Sequence, residues 1–257
     1  MIHPTAIVER GAELGRDVRI GPYAVVGAGA RVGAGAAIGA HALVEGRVSI
    51  GARARIGAFA AIGGRPQHRG SIMGEDTRVV LGEDVDVREY VTVHRGTMAG
   101  GGETRVGAGT LLMAYSHVAH DCTVGAGVTI ANAVQLAGHV VVEDDATLGG
   151  LAAVHQFARV GRLAMLAAGA MASQDVPPFC LAAGDRARLV GLNRLGLVRA
   201  GVGAEARRVL RRAFGVLFLR GLRLDEARSL LGAECVPEVI ALCDFVRQSR
   251  RGICRAR

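Results

Sequence analysis

The sequence contains no tryptophan and no lysine, and only 4% of its 257 residues are aromatic. An ordinary globular core of this size uses more aromatic bulk. A chain that is 50% hydrophobic without it points to a narrow interior filled by Val, Ile, Leu and Ala. No apolar run approaches the roughly 18–20 residues of a membrane span. The opening MIHPTAIVER lacks the basic region and apolar core of a signal peptide. The five cysteines, Cys122, Cys180, Cys235, Cys243 and Cys254, are odd in number and form no CxxC pair. They read as reduced thiols, and the chain as cytoplasmic. No dinucleotide-binding or P-loop context is present among the glycine clusters, and no cofactor is expected.

Charge is distributed unevenly. All 31 basic residues are arginine, against 23 acids. Residues 196–257 hold 13 arginines and six acids, so +7 of the net +8 lies in the last quarter of the chain. A basic pole suggests an acidic partner, either nucleic acid or an acidic protein.

What the chain does have is a period of six. From Val106 an aliphatic residue recurs at Leu112, Val118, Val124, Ile130, Leu136, Val142, Leu148, Val154, Val160 and Leu166, each followed four residues later by a small or β-branched residue. An α-helical stripe recurs at three and four and a simple strand alternates by two, so neither explains it. A sustained short repeat signals a solenoid, here a parallel β-helix of triangular section with three hexads per coil. The same period runs from Ile2 to Ile62, often with a following glycine, as in Ile20-Gly21 and Ile38-Gly39. Those glycines read as corners that need positive φ. The register breaks at about 63–80 and 95–105, both rich in glycine, which predicts two ejected loops. Gln174-Asp175-Val176-Pro177-Pro178 ends the period, because proline cannot donate to the ladder. The expected organisation is a β-helix over 1–178, an irregular connection over 179–203 and a helical region over 204–257. Helices are predicted at 204–220, about 225–232 and 237–250, the last opening on Pro237.

With three hexads to a coil, His120, Gly138 and Gln156 stack in one column, with His139 and His155 one position off it and Gln135 over His117. That column makes a polar strip on an otherwise bland wall. His3, His41 and His68 read as surface residues. Asp121 is either a solvated carboxylate or an orienting one, and Cys122 falls at a small interior position.

Several segments together are specific. His117-Val118-Ala119-His120-Asp121-Cys122-Thr123-Val124-Gly125, Val93-His94-Arg95-Gly96-Thr97, Leu136-Ala137-Gly138-His139, Ala153-Val154-His155-Gln156-Phe157 and the Gln174–Pro178 segment resemble, in this order, the UDP-N-acetylglucosamine O-acyltransferase family. The resemblance covers nearly the whole chain. It implies a left-handed β-helix that forms a homotrimer with active sites between subunits. It also implies transfer of a 3-hydroxyacyl chain from acyl carrier protein to the glucosamine 3-hydroxyl, the first step of lipid A biosynthesis. By the same resemblance His120 is the general base, oriented by Asp121, and the Gly138 amide is the oxyanion donor. Substrate contacts are implied for His94, His117, His139, His155, Gln156 and Gln67, and a nucleotide-binding segment for Asn193 and Arg199. Met165 and Ala168 fall at the acyl-chain ruler. No metal is implied.

The chain departs from the family pattern at three places. The first loop reads Pro66-Gln67-His68-Arg69-Gly70, with His68 where an Asp is usual. Ala200 follows Arg199 in place of a second Arg, and Arg186 replaces a His. Rival readings are another hexapeptide acyl- or acetyltransferase, a γ-carbonic anhydrase-like metal protein using histidines such as His117 and His120, and a non-enzymic scaffold.

Overall fold

The computed structural model describes residues 1–70, 76–220, 222, 225–226 and 236–256. The helix expected at about 225–232 lies mostly outside the described residues. Among the described residues the strands form three sheets of nine, eight and ten members. Strands Ile7–Val8, Glu13–Leu14 and Arg19–Ile20 open the three sheets in turn, and each next strand joins the next sheet round the coil. All neighbours are parallel until the C-terminal end. Val118, Leu136 and Val154 pair in register, each one coil from the next. This is the wall stacking that the six-residue period predicts.

The reason lies in each two-residue strand. Its second residue points inward and is buried, as with Leu112, Val118 and Val124. The small residue four positions later enters the next face and is also buried, from Thr110 and Ser116 through Ala170. A core of stacked Val, Ile, Leu and Ala results.

The corner glycines follow a different rule from the one expected. Positive φ falls three positions after the aliphatic residue, at Tyr23, His41, Phe59, Tyr90 and Tyr115 among others. The glycine directly after the aliphatic answers a distance requirement instead. A Cβ on Gly33 would lie 2.6 Å from the Ala52 nitrogen of the next coil, and one on Gly82 2.6 Å from the Ala108 nitrogen.

Both ejected loops leave from the same corner. The first runs from Ala61–Gly64 to Arg78–Leu81 and the second from Thr92–His94 to Glu103–Val106, each crossing from the nine-stranded to the eight-stranded sheet. Ile56 still pairs with Val87 across the first loop, and Val87 with Leu112 across the second. The insertions therefore lengthen two coils and leave the inward phase of every strand intact.

The C-terminal end corrects two expectations. The ladder does not stop at the prolines, because Cys180–Ala183 pairs in parallel with Met165–Leu166. Residues 180–192 are not irregular, because Arg188–Leu192 folds back antiparallel on that strand. Neither strand carries the hexad, so the period could not signal them. Helix α1 (Arg194–Arg199) follows, then α2 (Ala204–Phe214), which continues into π-helical turns over Gly215–Leu219, and α3 (Pro237–Gln248). Buried Val209, Leu210, Ala213 and Leu242 join the helices to the end of the β-helix core. Arg208, Arg211 and Arg212 are exposed on α2, and Arg207 is half-buried with its Nε unpartnered among the described residues. Arg208 pairs with Glu205. No described helix is long and apolar enough to cross a membrane.

Candidate active site

The first residue of each strand in the nine-stranded sheet points outward, which sets His117 beside Gln135 in register. The chain then turns the corner at positive φ, through Asp121, His139 and Phe157 in successive coils. His120 precedes Asp121 at that corner. A Cβ on Gly138 would stand 2.6 Å from His120 Cε1 and 2.7 Å from its Nε2, so the His120 ring lies directly over Gly138. Glycine is needed there for space.

Asp121 is buried and saturated with donors. Its Oδ1 accepts the Thr97 N–H at 2.8 Å, and its Oδ2 accepts the Thr97 hydroxyl at 2.7 Å and His120 Nδ1–H at 2.7 Å. Its own N–H donates to Thr104 Oγ1 at 2.8 Å. Thr97 comes from the second loop and Thr104 from the strand it leads into, and the loop's 3-10 turn Met98–Gly100 packs Gly100 so tightly against the carboxylate that no side chain fits there. An aspartate that accepts three hydrogen bonds orients the groups that donate them. With Nδ1–H committed to Asp121, the lone pair of His120 sits on Nε2.

More rings close round this pair. His139 stands edge-on to His120 with centroids 5.1 Å apart, and its Nε2 is 3.7 Å from Asp121 Oδ2. Phe157 stacks on the other face of His139 at 4.5 Å. His68 is exposed, as expected of a surface residue, but it also approaches this corner. The first loop carries its ring to 5.5 Å from that of His120, and the Gly70 N–H donates to its Nδ1 at 3.2 Å. His94 meets His117 edge-on at 4.9 Å, and His117 Nδ1 bonds Thr92 Oγ1 at 2.7 Å. Burial, with help from His94 and His120, pushes His117 down to about 4. Burial also lowers His94, and His94 Nδ1 has no partner among the described residues. His139 is lowered too, mainly by burial, although Asp121 opposes the shift. These histidines are neutral imidazoles near pH 7. Cys122 is buried, and burial pushes its thiol up to about 12, so it packs the core and is no nucleophile.

Other expected residues sit elsewhere. Gln156 and His155 are exposed one coil below Gly138, and His155 Nδ1 accepts from Arg251 at 2.8 Å. Gln67 is exposed in the first loop. Asn193 is buried and uses its amide on the fold: Oδ1 caps α1 through the Gly196 N–H, and Nδ2 donates to the Leu163 carbonyl at 2.9 Å. Arg199 is exposed at the end of α1. Met165 faces outward from its strand, half-buried, and Ala168 is exposed at the next corner. His120, Asp121 and His139 offer ligand atoms within 4.8 Å of one another, a set that could hold a metal ion, although Asp121 already spends both oxygens on Thr97 and His120. Thr97, Thr104, Gly100, Phe157 and Arg251 were not expected at the site. Thr97 stands in the Val93–Thr97 segment, and nothing in its residue type marks it.

A β-helix with this histidine–aspartate corner defines a hexapeptide-repeat transferase, and residues 103–138 match the bacterial transferase hexapeptide model (six repeats). Residues 1–100 match the GMPPB C-terminal domain model, and residues 175–254 match domain 2 of UDP N-acetylglucosamine O-acyltransferase. The chain is 53% identical over 256 residues to an acyl-[acyl-carrier-protein]–UDP-N-acetylglucosamine O-acyltransferase from Anaeromyxobacter sp. (strain K), covering 99% of both chains. It is 53% identical over 257 residues to the protein of that name from Alkalilimnicola ehrlichii, with the same coverage. Solved structures agree. LpxA from Acinetobacter baumannii aligns with a TM-score of 0.95 at 36% identity over 99% of both chains. The UDP-N-acetylglucosamine acyltransferase from Campylobacter jejuni aligns at 0.94 with 38% identity over 100% of both. The chain belongs to the UDP-N-acetylglucosamine O-acyltransferase family.

Proposed function

We propose that this chain moves a 3-hydroxyacyl group from acyl carrier protein to the 3-hydroxyl of UDP-N-acetylglucosamine, the first step of lipid A biosynthesis. The observation that carries the reading is the buried Asp121–His120 pair with the His120 lone pair on Nε2, in a chain 53% identical to enzymes of that name. A sugar hydroxyl is a weak nucleophile. His120 Nε2 takes its proton as the oxygen attacks the thioester carbonyl, and Asp121 stabilises the imidazolium that forms. The tetrahedral oxyanion is received by the Gly138 N–H, which no hydrogen bond engages among the described residues. Collapse breaks the C–S bond, and the leaving thiolate takes the proton from His120. Atoms and charge balance without cofactor or metal.

His94, His117, His139, His155, Gln156 and Gln67 contact substrate in this reading, with His68 added by the first loop. Asn193 and Arg199 serve the nucleotide, Asn193 by holding α1 in place. Met165 and Ala168 limit the acyl chain. The exposed arginines Arg211 and Arg212, with the basic C-terminal quarter, suit an acidic carrier protein. The β-helix is read as left-handed, an exception to the usual crossover hand, and the active unit as a cytoplasmic homotrimer. The chain divides after Leu192 into the β-helix with its antiparallel closing strand and a helical region.

Mass spectrometry of products from UDP-N-acetylglucosamine and a panel of 3-hydroxyacyl carrier proteins tests the reaction. A 3-O-acylated product from a medium-length donor is expected, and its absence with every donor overturns the reading. In the same assay Ala168→Gly should shift the preference to longer chains, and an unchanged preference removes Ala168 from the ruler. The metal reading would be favoured instead by stoichiometric metal in active protein, with activity lost on chelation.

A further inference from the structure

After α3 the chain returns along the last coil and is clamped there by Asp175, which is fully buried. Asp175 Oδ2 accepts the Ser249 hydroxyl at 2.6 Å and Oδ1 accepts the Arg159 N–H at 2.8 Å. The Asp175 N–H donates to the Gly252 carbonyl, and the Cys254 N–H to the Asp175 carbonyl. Leu189 and Ala256 form a further bridge. The tail is therefore a built part of the fold, and it places Arg251 and Arg255 at fixed positions.

Those two side chains meet Arg186 and Arg188 round a cavity of about 560 Å³, whose other polar lining is Ser173 and Gln174. No carboxylate of the described residues lines it. None of the four arginines makes an ion pair among the described residues, although surface arginines elsewhere do, as Arg53 does with Glu83 and Asp84. Arg251 also walls a neighbouring cavity of about 690 Å³ that reaches His139 and Phe157, and it donates to His155 Nδ1.

We propose that the clamped tail builds a phosphate subsite of the active site, in which Arg186, Arg188, Arg251 and Arg255 receive a phosphate ester of a substrate. Four arginines lining one cavity repel one another until an anion with several acceptor oxygens joins them, and the planar fork of arginine matches phosphate geometry. The subsite rests on the acyltransferase reading for its substrates. Both of them offer this chemistry, the nucleotide sugar as a diphosphate and the carrier as the phosphodiester of its pantetheine arm.

The test measures calorimetric binding of inorganic pyrophosphate to the full-length protein, and to Arg251→Ala and Arg186→Ala. The second variant lies outside the tail and guards against tail loosening, which is checked by thermal unfolding. Each loss should weaken pyrophosphate binding about tenfold or more, as expected for a charge-assisted contact. Steady-state assays identify the source. A raised KM for UDP-N-acetylglucosamine assigns the subsite to the nucleotide. Loss of the preference for acyl-phosphopantetheine over acyl-pantetheine assigns it to the carrier arm. Pyrophosphate binding that is absent in the native protein, or equal in all three proteins, overturns the proposal. Arginine-dependent pyrophosphate binding by a protein that transfers no acyl group would uphold the subsite while removing the acyltransferase reading.

Discussion

Two corners of the same coil use one backbone geometry for opposite ends. At the corner leading out of the ten-stranded sheet, Tyr23, His41, Phe59, Tyr90 and Tyr115 occupy the positive-φ position in five successive coils. Their rings stack face to face, with centroids 4.8–5.1 Å apart. At the corner leading out of the nine-stranded sheet, Asp121, His139 and Phe157 take the same φ, but there both loops are ejected and the stack is broken by polar groups. A non-glycine residue in this conformation costs roughly 1–2 kcal/mol. The ladder offsets that cost with ring on ring. The loop corner offsets it with hydrogen bonds to Asp121. The repeat sets where strain falls, and the residue placed there decides whether the corner holds the solenoid together or orients the His120 ring.

The sharpest way to break this contrast is at His120. His120→Ala should lower kcat by about 10²–10⁴, the range of a general base, and leave the β-helix folded because the ring lies outside the stacked aliphatic core. Near-normal turnover in the purified variant would remove His120 from the chemical step. Next comes its support. Thr97→Val deletes the hydroxyl bond to Asp121 while keeping the shape and the backbone bond. A lost bond to a charged group is worth roughly 1.5–3 kcal/mol, so kcat should fall by about tenfold or more, with the pH–rate profile displaced and KM little changed. Thr97→Ser should restore it. A fall in stability alone, with an unmoved profile, would make the second loop a structural clasp.

The ladder should respond in the other way. Phe59 is stacked on both faces, by His41 and Tyr90. Two stacking contacts at about 0.5–1.5 kcal/mol each predict that Phe59→Ala destabilises by roughly 1–3 kcal/mol in urea denaturation and leaves kcat within the error of the assay. A selective loss of kcat in this variant would mean that the two corners are coupled.

The contrast also separates what could be read from the chain from what could not. The coil was legible because Val118, Leu136 and Val154 repeat a requirement of the interior at every turn. The column of His120 over Gly138 followed from the same spacing. The loops were legible only as interruptions. Where they land depends on the path of a non-repeating segment, so neither the grip of Thr97 on Asp121, 24 residues away, nor the approach of His68 to His120 had a local signal. Arg251 reaches His155 across 96 residues through a tail held by one buried carboxylate. Asn193 shows a related difficulty. A capping asparagine and a ligand-binding one look alike until the bonds of both amide ends are seen.

The smallest expected effect is on acid stability, and it separates the loop side from the ladder once more. His117 is held neutral in the fold, down at about 4, chiefly by burial, whereas an unfolded histidine titrates near 6.5. Between those values the unfolded chain binds the proton and the folded chain does not. Stability must therefore fall as pH drops from about 6.5 towards 4, with no further contribution above or below that window. The slope from one group cannot exceed about 1.4 kcal/mol per pH unit, and the partial exposure of His117 reduces it, so roughly 1 kcal/mol is expected between pH 6.5 and 5. His94, lowered by the same burial, adds in the same direction. His117→Gln can keep a bond to Thr92 and does not titrate, so its urea midpoint should change less between pH 7 and 5 than that of the native protein. Phe59→Ala should lower the midpoint by the same amount at both pH values. Equal acid sensitivity in the native protein and His117→Gln would show that the charge of His117 is tolerated in the fold, and that the loops do not exclude water from it.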